Sequence, residues 1–474
     1  MDAEDLCFMS AREMNSLIRE KELSPVEVLE AVLSRIGKIN PKVNAFCTLV
    51  PETAMEAARK AEEKVMGGEK VGPLHGVPVA IKDLTPTAGI RTTYGSKIFE
   101  NHIPDEDGLI VQCLKAAGAI VIGKTNTPEF GAGANTYNAV FGATRNPWKL
   151  SLTCGGSSGG SAVALACGLS PLATGSDLGG SLRIPASFCG VVGFRTSPGL
   201  VPVYPGFLGW DTFSVEGPMA RNVGDTALLL SVIAGPDARS PISFPVDPGD
   251  FNSAIERPEI KGYRVAWSPD LGIIPVDREV RNVAARAAHR FSELGCSVEE
   301  AEPDFSGIRE VIYVTRSSRM ATLHGDKLEK WRDVMNPNLV WNIEQGFPLT
   351  GKQIGEAEKE RTAIYHRVRQ FFERYDLLLT PTVAVPPFPV ETPYPKEING
   401  EPMTNYTDWF LLTYAISITG LPAASVPCGW TSEGLPVGLQ IVGRRLAETT
   451  VLKAAAAFEA MAPWHEKRPP LDLA

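Results

Sequence analysis

The chain has 474 residues, of which 44% are hydrophobic and 21% charged, and its formal net charge is −9. This composition is ordinary for a globular enzyme, and the lack of basic clusters argues against nucleic-acid binding, because phosphate contacts need faces rich in Lys and Arg. No apolar run reaches the ~18 residues that a membrane span needs, and the acidic opening MDAED contains no apolar signal segment, so we expect a cytoplasmic protein.

The first elements in chain order are predicted to be two helices with defined N-termini. Ser24 is followed by Pro25 and then by Glu27, a capping-box pattern with proline at the first helical position, and Ser10 with Glu13 repeats the pattern upstream. Strand and helix patterns then alternate. We predict, in order, a helix over 53–66, strands over 77–81 and 119–122, helices over 162–167 and 225–233, a strand over 262–267, an amphipathic helix over 278–294, mostly helical structure over 303–375 and a strand over 377–380.

The order of these elements indicates fold class and domain organisation. Strands that alternate with helices favour an α/β protein with a central sheet covered by helices on both faces. No long polar linker or internal repeat divides the chain, so we expect a single domain over 1–474. The stretch 235–258 is rich in Pro, Asp and Ser and is predicted to be a surface connection. The proline-rich stretch 381–403 lacks periodicity and is predicted to be a long functional loop.

Two glycine-rich stretches that contain serine lie close together in the sequence. Residues 155–161 read GGSSGGS, and residues 177–183 read DLGGSLR. Glycine lets the backbone approach a ligand closely, and consecutive N–H groups in such turns attract negative charge. A serine hydroxyl beside these donors can attack a carbonyl carbon while the donors bind the oxyanion. We therefore expect two serines to act on one site.

The candidate base for these serines is Lys82, which directly follows the predicted strand 77–81. Burial disfavours the charged amine, and documented buried lysines have pKa values of roughly 5–6 instead of about 10.4. A neutral amine can accept a proton from a serine. A lysine at a strand end usually reaches solvent, so the two glycine–serine stretches are what favour the catalytic interpretation.

These segments resemble the amidase signature family of serine hydrolases. GGSSGGSAVALACG (155–168), continued by GSDLGGSLRIPASFCGVVGFR (175–195), resembles the signature region of that family. GVPVAIKDL (76–84) resembles its lysine motif, and GLPAASVP…GLPVGLQIVG (420–443) its C-terminal core motif. The resemblance covers nearly the whole chain. It departs from the family pattern after Phe194, where Arg195-Thr196-Ser197 replaces the usual Lys-Pro-Thr.

The resemblance implies an overall architecture and an activity. The implied fold is a large mixed central sheet wrapped by helices, with the signature core over roughly 70–235 and 405–460. A helical and loop insertion over roughly 303–404 is expected to form the rim of the substrate site. The implied activity is hydrolysis of C–N amide bonds through an acyl-enzyme.

The resemblance also assigns roles to individual residues. Lys82 matches the base of the family, Ser157 its bridging serine, which follows a cis peptide bond, and Ser181 its nucleophile. Four backbone N–H groups match the oxyanion hole, namely those of Leu178, Gly179, Gly180 and Ser181.

Further residues are expected to support the site. We interpret Asp177 and Arg183, which flank the nucleophile, as an ion pair that holds its loop rigid. Ser158 and Ser161 are interpreted as helix-start hydroxyls. The small residues Gly131, Ala132 and Gly133 leave space beside the nucleophile and are the candidate substrate-binding residues. Aromatic residues of 204–210 and 303–410 either line the pocket or pack in the core.

The expected substrate is a small neutral amide, aryl or aliphatic, because no carboxylate clamp is evident near the pocket. The same acyl-enzyme chemistry serves carbamates and esters. No cofactor or metal is expected, since neither an HExxH motif nor a Cys/His cluster has ligand spacing. Nucleic-acid and membrane partners are not expected, and a homodimer is left open.

Other interpretations of the sequence were weighed against this one. The A subunit of a tRNA-dependent amidotransferase carries Ala-Ser-Ser-Leu-Asp-Gln before Gly-Pro, whereas residues 211–218 read DTFSVEGP and lack the Asp-Gln pair. Residues 118–125 fit the Walker A pattern, but their apolar middle suits a strand. Residues 155–159 fit the nucleophile elbow of α/β-hydrolases, but no strong strand precedes them. A catalytically inactive binding module is disfavoured by the intact lysine and serines.

Overall fold

The computed structural model describes residues 2–473. Its central feature is a mixed sheet of eleven strands in the order β1-β3-β2-β6-β8-β7-β14-β15-β11-β9-β10. Two short hairpins, β4–β5 and β12–β13, lie outside it. The strands are β1 (Phe46–Leu49), β2 (Pro78–Lys82), β3 (Ile120–Thr125), β4 (Tyr137–Asn138), β5 (Gly142–Ala143), β6 (Leu172–Asp177), β7 (Val192–Arg195), β8 (Val215–Ala220), β9 (Arg264–Trp267), β10 (Ser297–Glu300), β11 (Leu377–Pro381), β12 (Glu397–Ile398), β13 (Glu401–Pro402), β14 (Ala423–Trp430) and β15 (Pro436–Val442).

Helices surround this sheet. They are α1 (Ala3–Phe8), α2 (Ala11–Arg19), α3 (Pro25–Val43), α4 (Pro51–Met66), α5 (Leu109–Ala116), α6 (Gly159–Ala166), α7 (Arg183–Cys189), α8 (Val223–Ile233), α9 (Gly249–Glu256), α10 (Arg278–His289), α11 (Ile308–His324), α12 (Leu328–Trp331), α13 (Pro337–Gly346), α14 (Gly351–Arg374), α15 (Leu411–Thr419) and α16 (Glu448–Met461). Within the described residues, no helix is long and apolar enough to cross a bilayer.

The sheet is buried on both faces, as the alternation of side chains along its strands shows. Leu377 and Leu379 of β11 lie in one hydrophobic cluster, while Leu378 between them lies in a second. Val265 and Trp267 of β9 lie in the first cluster and the intervening Ala266 in the second. Successive side chains of a strand point to opposite faces, so each cluster marks one covered face. The predicted α/β fold with helices on both faces is confirmed.

Several predicted local features are present in the structure. Ser24 accepts hydrogen bonds from the first turn of α3, and the side chain of Glu27 completes the capping box. The predicted strand 77–81 corresponds to β2, which ends on Lys82. The stretch with the Walker A pattern forms strand β3, as its apolar middle indicates, and not a phosphate-binding loop.

Two predictions need correction. The stretch 235–258 is not wholly a surface connection, because it contains α9, which packs on α8 and α16. Phe251 and Ala254, three residues apart on one helical face, are buried there. The predicted helix 278–294 changes character at its end, where α10 stops at His289 and a 3-10 helix continues over Arg290–Leu294.

The topology places the lysine motif and the second glycine–serine stretch side by side. Strands β2 and β6 are parallel neighbours, with Ala80 opposite Ala173, so their carboxyl ends lie at the same edge of the sheet. Lys82 ends β2 and Asp177 ends β6. The second glycine–serine stretch follows β6 directly, which brings it to the lysine.

Candidate active site

The amine of Lys82 lies in a fully buried position among three hydroxyl groups. Its Nζ is 2.7 Å from the Oγ of Ser157, 2.8 Å from that of Ser158 and 3.0 Å from that of Ser176. Burial lowers the pKa of Lys82 to about 7, against the opposing effects of the carboxylates of Asp177 and Glu216. At and above neutral pH much of the amine is therefore neutral and able to take a proton from Ser157.

Two of these contacts with Lys82, those of Ser158 and Ser176, were not predicted from the sequence. Ser158 stands at the N-cap of α6, but its side chain makes no capping bond and contacts Lys82 instead. Sequence reasoning missed Ser176. The sequence contained a signal, because Thr174 and Ser176 are two residues apart in β6 and therefore lie on the same face of the strand. Thr174 Oγ1 accepts a hydrogen bond from the backbone N–H of Lys82 at 3.2 Å.

Ser157 and Ser181 lie on loops that are joined directly. The peptide bond between Gly156 and Ser157 is cis, as the family resemblance implies. The backbone N–H of Ser158 donates to the carbonyl oxygen of Ser181 at 3.1 Å. Ser157 is buried, whereas Ser181 is partly exposed, so a substrate can reach the Ser181 hydroxyl.

One of the four N–H groups expected to form the oxyanion hole, that of Gly180, already has a hydrogen-bond partner. The N–H of Gly180 donates to Asp177 Oδ1 at 2.8 Å, so this donor is already occupied. In the described part of the chain, the N–H groups of Leu178, Gly179 and Ser181 form no hydrogen bond and stay available. Gly180 has φ +131, and a Cβ there would lie 2.2 Å from Thr413 Oγ1, which explains the glycine.

Asp177 organises the loop that carries Ser181. Its carboxylate forms two bonds with the guanidinium of Arg183, at 2.9 and 3.0 Å, which confirms the expected ion pair. Arg195 adds a second buried contact at 3.1 Å, which sequence reasoning missed. Burial alone would raise the pKa of Asp177, but the two guanidinium groups hold it well below its usual range. The carboxylate thus stays ionised and keeps its bonds to the loop N–H groups.

The three small residues expected beside the nucleophile have different surroundings. A Cβ on Gly131 would lie 3.4 Å from Ser157 Oγ and 2.8 Å from Leu84 Cδ1, so this glycine borders the site. Ala132 is instead buried in an apolar cluster with Met320 of α11, where its methyl group has packing partners. A Cβ on Gly133 would meet nothing closer than 3.8 Å.

Replacement of Gly131 by alanine is expected to lower kcat/KM at least tenfold. Its φ of +69 costs an L-residue roughly 1–2 kcal/mol, and the added methyl group would displace Leu84 Cδ1 and come into contact with Ser157 Oγ. The measurement is p-nitroaniline release from p-nitroacetanilide. Gly133→Ala, the same chemical change two residues further on, serves as the matched comparison and should have a much smaller effect. Equal losses in both variants would contradict the placement of Gly131.

A cavity of about 240 Å³ opens beside Ser176. Its walls include Leu84, residues 206–209 and, from helix α11, Arg319. The aromatic stretch 204–210 therefore contributes Phe207, which is 97% exposed, to the edge of this cavity. Other candidate aromatic residues pack elsewhere: Trp409 and Phe410 are buried in the core.

The fold agrees with the comparisons to known proteins. The family model for amidases matches residues 27–452, so the chain belongs to the amidase signature family. It is 38% identical to an acylamidase of Rhodococcus erythropolis, over 99% of this chain and 98% of that protein. It is also 38% identical to the A subunit of a glutamyl-tRNA(Gln) amidotransferase of Carboxydothermus hydrogenoformans, over 98% of this chain and 100% of the relative. The crystal structure of a bacterial aryl acylamidase superposes with a TM-score of 0.90 at 33% identity, covering 97% of each chain.

Proposed function

We propose that this amidase-family hydrolase cleaves small neutral aryl or aliphatic amides through an acyl-enzyme on Ser181, without a cofactor, metal or partner protein. The observation that carries the proposal is the 2.7 Å contact between the buried Lys82 amine and Ser157 Oγ. With a pKa of about 7, this lysine is a base that works at neutral pH.

The proposed reaction moves one proton along the chain of hydroxyls. Neutral Lys82 accepts the proton of Ser157, which takes that of Ser181, and Ser181 Oγ attacks the carbonyl carbon. The oxyanion is held by the free N–H groups of Leu178, Gly179 and Ser181. The C–N bond then breaks, and the leaving nitrogen receives a proton from Ser157, which regains one from Lys82. Water hydrolyses the ester by the same route, releasing the carboxylic acid.

The similar proteins and the character of the pocket support the proposed substrate class. Acylamidase and aryl acylamidase are the names of two proteins similar along nearly their whole length. The cavity beside Ser176 has mostly apolar walls, and its one guanidinium, that of Arg319, is paired with Asp211 at 2.8 Å. A substrate carboxylate would therefore find no unpaired cation there. We extend the proposal to carbamates and esters, because they would react with Ser181 through the same kind of covalent intermediate.

Purified protein is expected to hydrolyse p-nitroacetanilide with a kcat/KM at least 10³-fold higher than that for glutamine or malonamate. The physical reason is that the carboxylate of glutamine or malonamate would lose its hydration and find no cationic partner in the site. The ratio of kcat/KM between substrates that differ in one such polar group reaches ~10⁴–10⁵. The measurement is release of p-nitroaniline or ammonia under matched conditions, with Ser181→Ala as the blank. Comparable activity on glutamine would refute the substrate class.

A second candidate function is that of the A component of a tRNA-dependent amidotransferase, favoured by the 38% identity to such a protein. Residues 211–218 lack the Asp-Gln pair of that family pattern, and Asp211 is instead paired with Arg319. Addition of the other amidotransferase components to the glutamine assay distinguishes the two functions. Glutaminase activity that emerges only with those components would establish the second.

A further inference from the structure

One acidic side chain in the cavity beside Ser176 has no role in the proposed reaction. Glu216 of β8 stands directly opposite Ser176 of β6 in an antiparallel ladder. Opposite residues of such a ladder share a face, with Cβ atoms roughly 4.5–5.5 Å apart. Both residues line the cavity, and Ser176 Oγ contacts Lys82. The Glu216 carboxyl therefore lies one side chain away from the catalytic amine.

Glu216 lacks a direct counter-ion. Within the described residues, none of the ion pairs includes it, and its one side-chain hydrogen bond comes from Thr85 Oγ1 at 3.5 Å. The other acid of the cavity, Asp211, is neutralised by Arg319. Burial raises the pKa of Glu216 to about 7, against the effects of the Thr85 bond and the Lys82 and Lys124 charges. The cavity thus contains a carboxyl group that is only partly ionised at neutral pH. A cation bound beside it would favour its ionised form.

The leaving group is the part of the substrate that reaches this carboxyl. In the proposed mechanism the leaving nitrogen takes its proton from Ser157. Ser157 Oγ and Ser176 Oγ both contact Lys82 Nζ, so they lie at most two hydrogen-bond lengths apart. In a pose in which the leaving group runs from Ser157 past Ser176, which lines the cavity, its far end would reach Glu216.

We propose that Glu216 forms an acidic subsite that binds a protonated amine on the leaving group, so that mono-acylated diamines are favoured substrates. This inference rests on the proposed amide hydrolysis. Removal of one partner from a buried, hydrogen-bonded charge pair typically costs more than a factor of ten in affinity, so the effect should be easy to measure. Other charged or titratable groups around Glu216 are Lys82, Lys124, Cys113, Asp211 and Arg319.

The test compares three benzamides of similar size by benzoate release. N-(3-aminopropyl)benzamide carries the ammonium group, N-butylbenzamide is its neutral counterpart, and 4-benzamidobutanoate is anionic. The kcat/KM of the ammonium substrate should exceed that of the neutral one at least tenfold, and the anionic substrate should be the poorest. This ratio should rise through pH 7 as Glu216 ionises. Glu216→Gln should bring it close to one and remove its pH dependence.

Two further measurements keep the outcomes distinct. Glu329→Gln removes the same charge from an exposed glutamate outside the cavity and should leave the ratio unchanged. Calorimetry on Ser181→Ala measures binding without turnover, and the added Glu216→Gln change should weaken the ammonium amide at least tenfold. Hydrolysis of all three amides without preference would refute the subsite and leave the proposed function intact. Selective binding without hydrolysis by the wild type would support the subsite and refute the function.

Discussion

Replacement of Ser181 by alanine is expected to abolish turnover, with a loss in kcat on the order of 10⁶-fold, as for other serine nucleophiles. Ser181 is partly exposed and adjoins free backbone N–H groups, whereas Ser157 is buried against Lys82. A hydroxyl without oxyanion donors cannot take over the attack. The measurement is kcat on p-nitroacetanilide, paired with intact-protein mass spectrometry after treatment with a fluorophosphonate, which should label the wild type once and the variant not at all.

A matched control is Ser161→Ala in the other glycine–serine stretch. Ser161 Oγ bonds to Thr125 Oγ1 at 2.7 Å and to the carbonyl of Thr174 at 2.8 Å, both in the core. Its loss should cost about 1 kcal/mol of stability, and the covalent labelling should remain. Labelling of Ser157 in the Ser181→Ala variant would overturn the assignment of the nucleophile.

Replacement of Lys82 by methionine is expected to lower kcat/KM by about 10³–10⁴-fold, close to the full contribution of a general base. Methionine fills similar volume but accepts no proton. Because the lysine must be neutral to act, the wild-type kcat/KM should rise with pH through about 7 and level off above about 8. The complete burial of Lys82 is what brings this rise to neutral pH.

Lys124→Met provides the comparison for this experiment. Lys124 is likewise fully buried, and burial lowers its pKa to about 8, but its amine contacts Thr87 and Thr92 rather than the serines. This variant should lose stability while its pH profile keeps the inflection near 7. A Lys82→Met variant that retains activity, or a His366→Ala variant that loses it, would refute the lysine mechanism.

The sequence predicted those parts of the site that depend on local pattern. Lys82 ends a strand that a short apolar run predicts, and Ser157 and Ser181 lie in motifs with a recognisable order of residues. The central sheet was predicted from the alternation of strand and helix patterns along the chain. The helix α9 was missed because Pro and Asp around it are typical of loops, whereas the helix packs on α8 and on α16 from the C-terminal part of the chain.

The remaining features depend on contacts between residues far apart in the chain. Glu216 lies opposite Ser176 because of the register between β6 and β8. The N–H of Gly180 is occupied because Asp177 turns back onto its own loop. Ala132 is packed by Met320, which belongs to a helix much later in the chain. None of these contacts can be recognised from a short stretch of the sequence.

The buried arginines that bind Asp177 limit the transfer of this candidate site into another protein scaffold. Arg183 also donates to the carbonyl of Thr413 at 3.0 Å, and Arg195 to that of Ser417 at 3.3 Å, both on α15. The stretch 155–195 contains both serines, yet it is fastened from the C-terminal part of the chain. Grafted alone into another scaffold, it would bring two cationic side chains without these acceptors. The unit that recombination can exchange is therefore the pair of segments, not the motif.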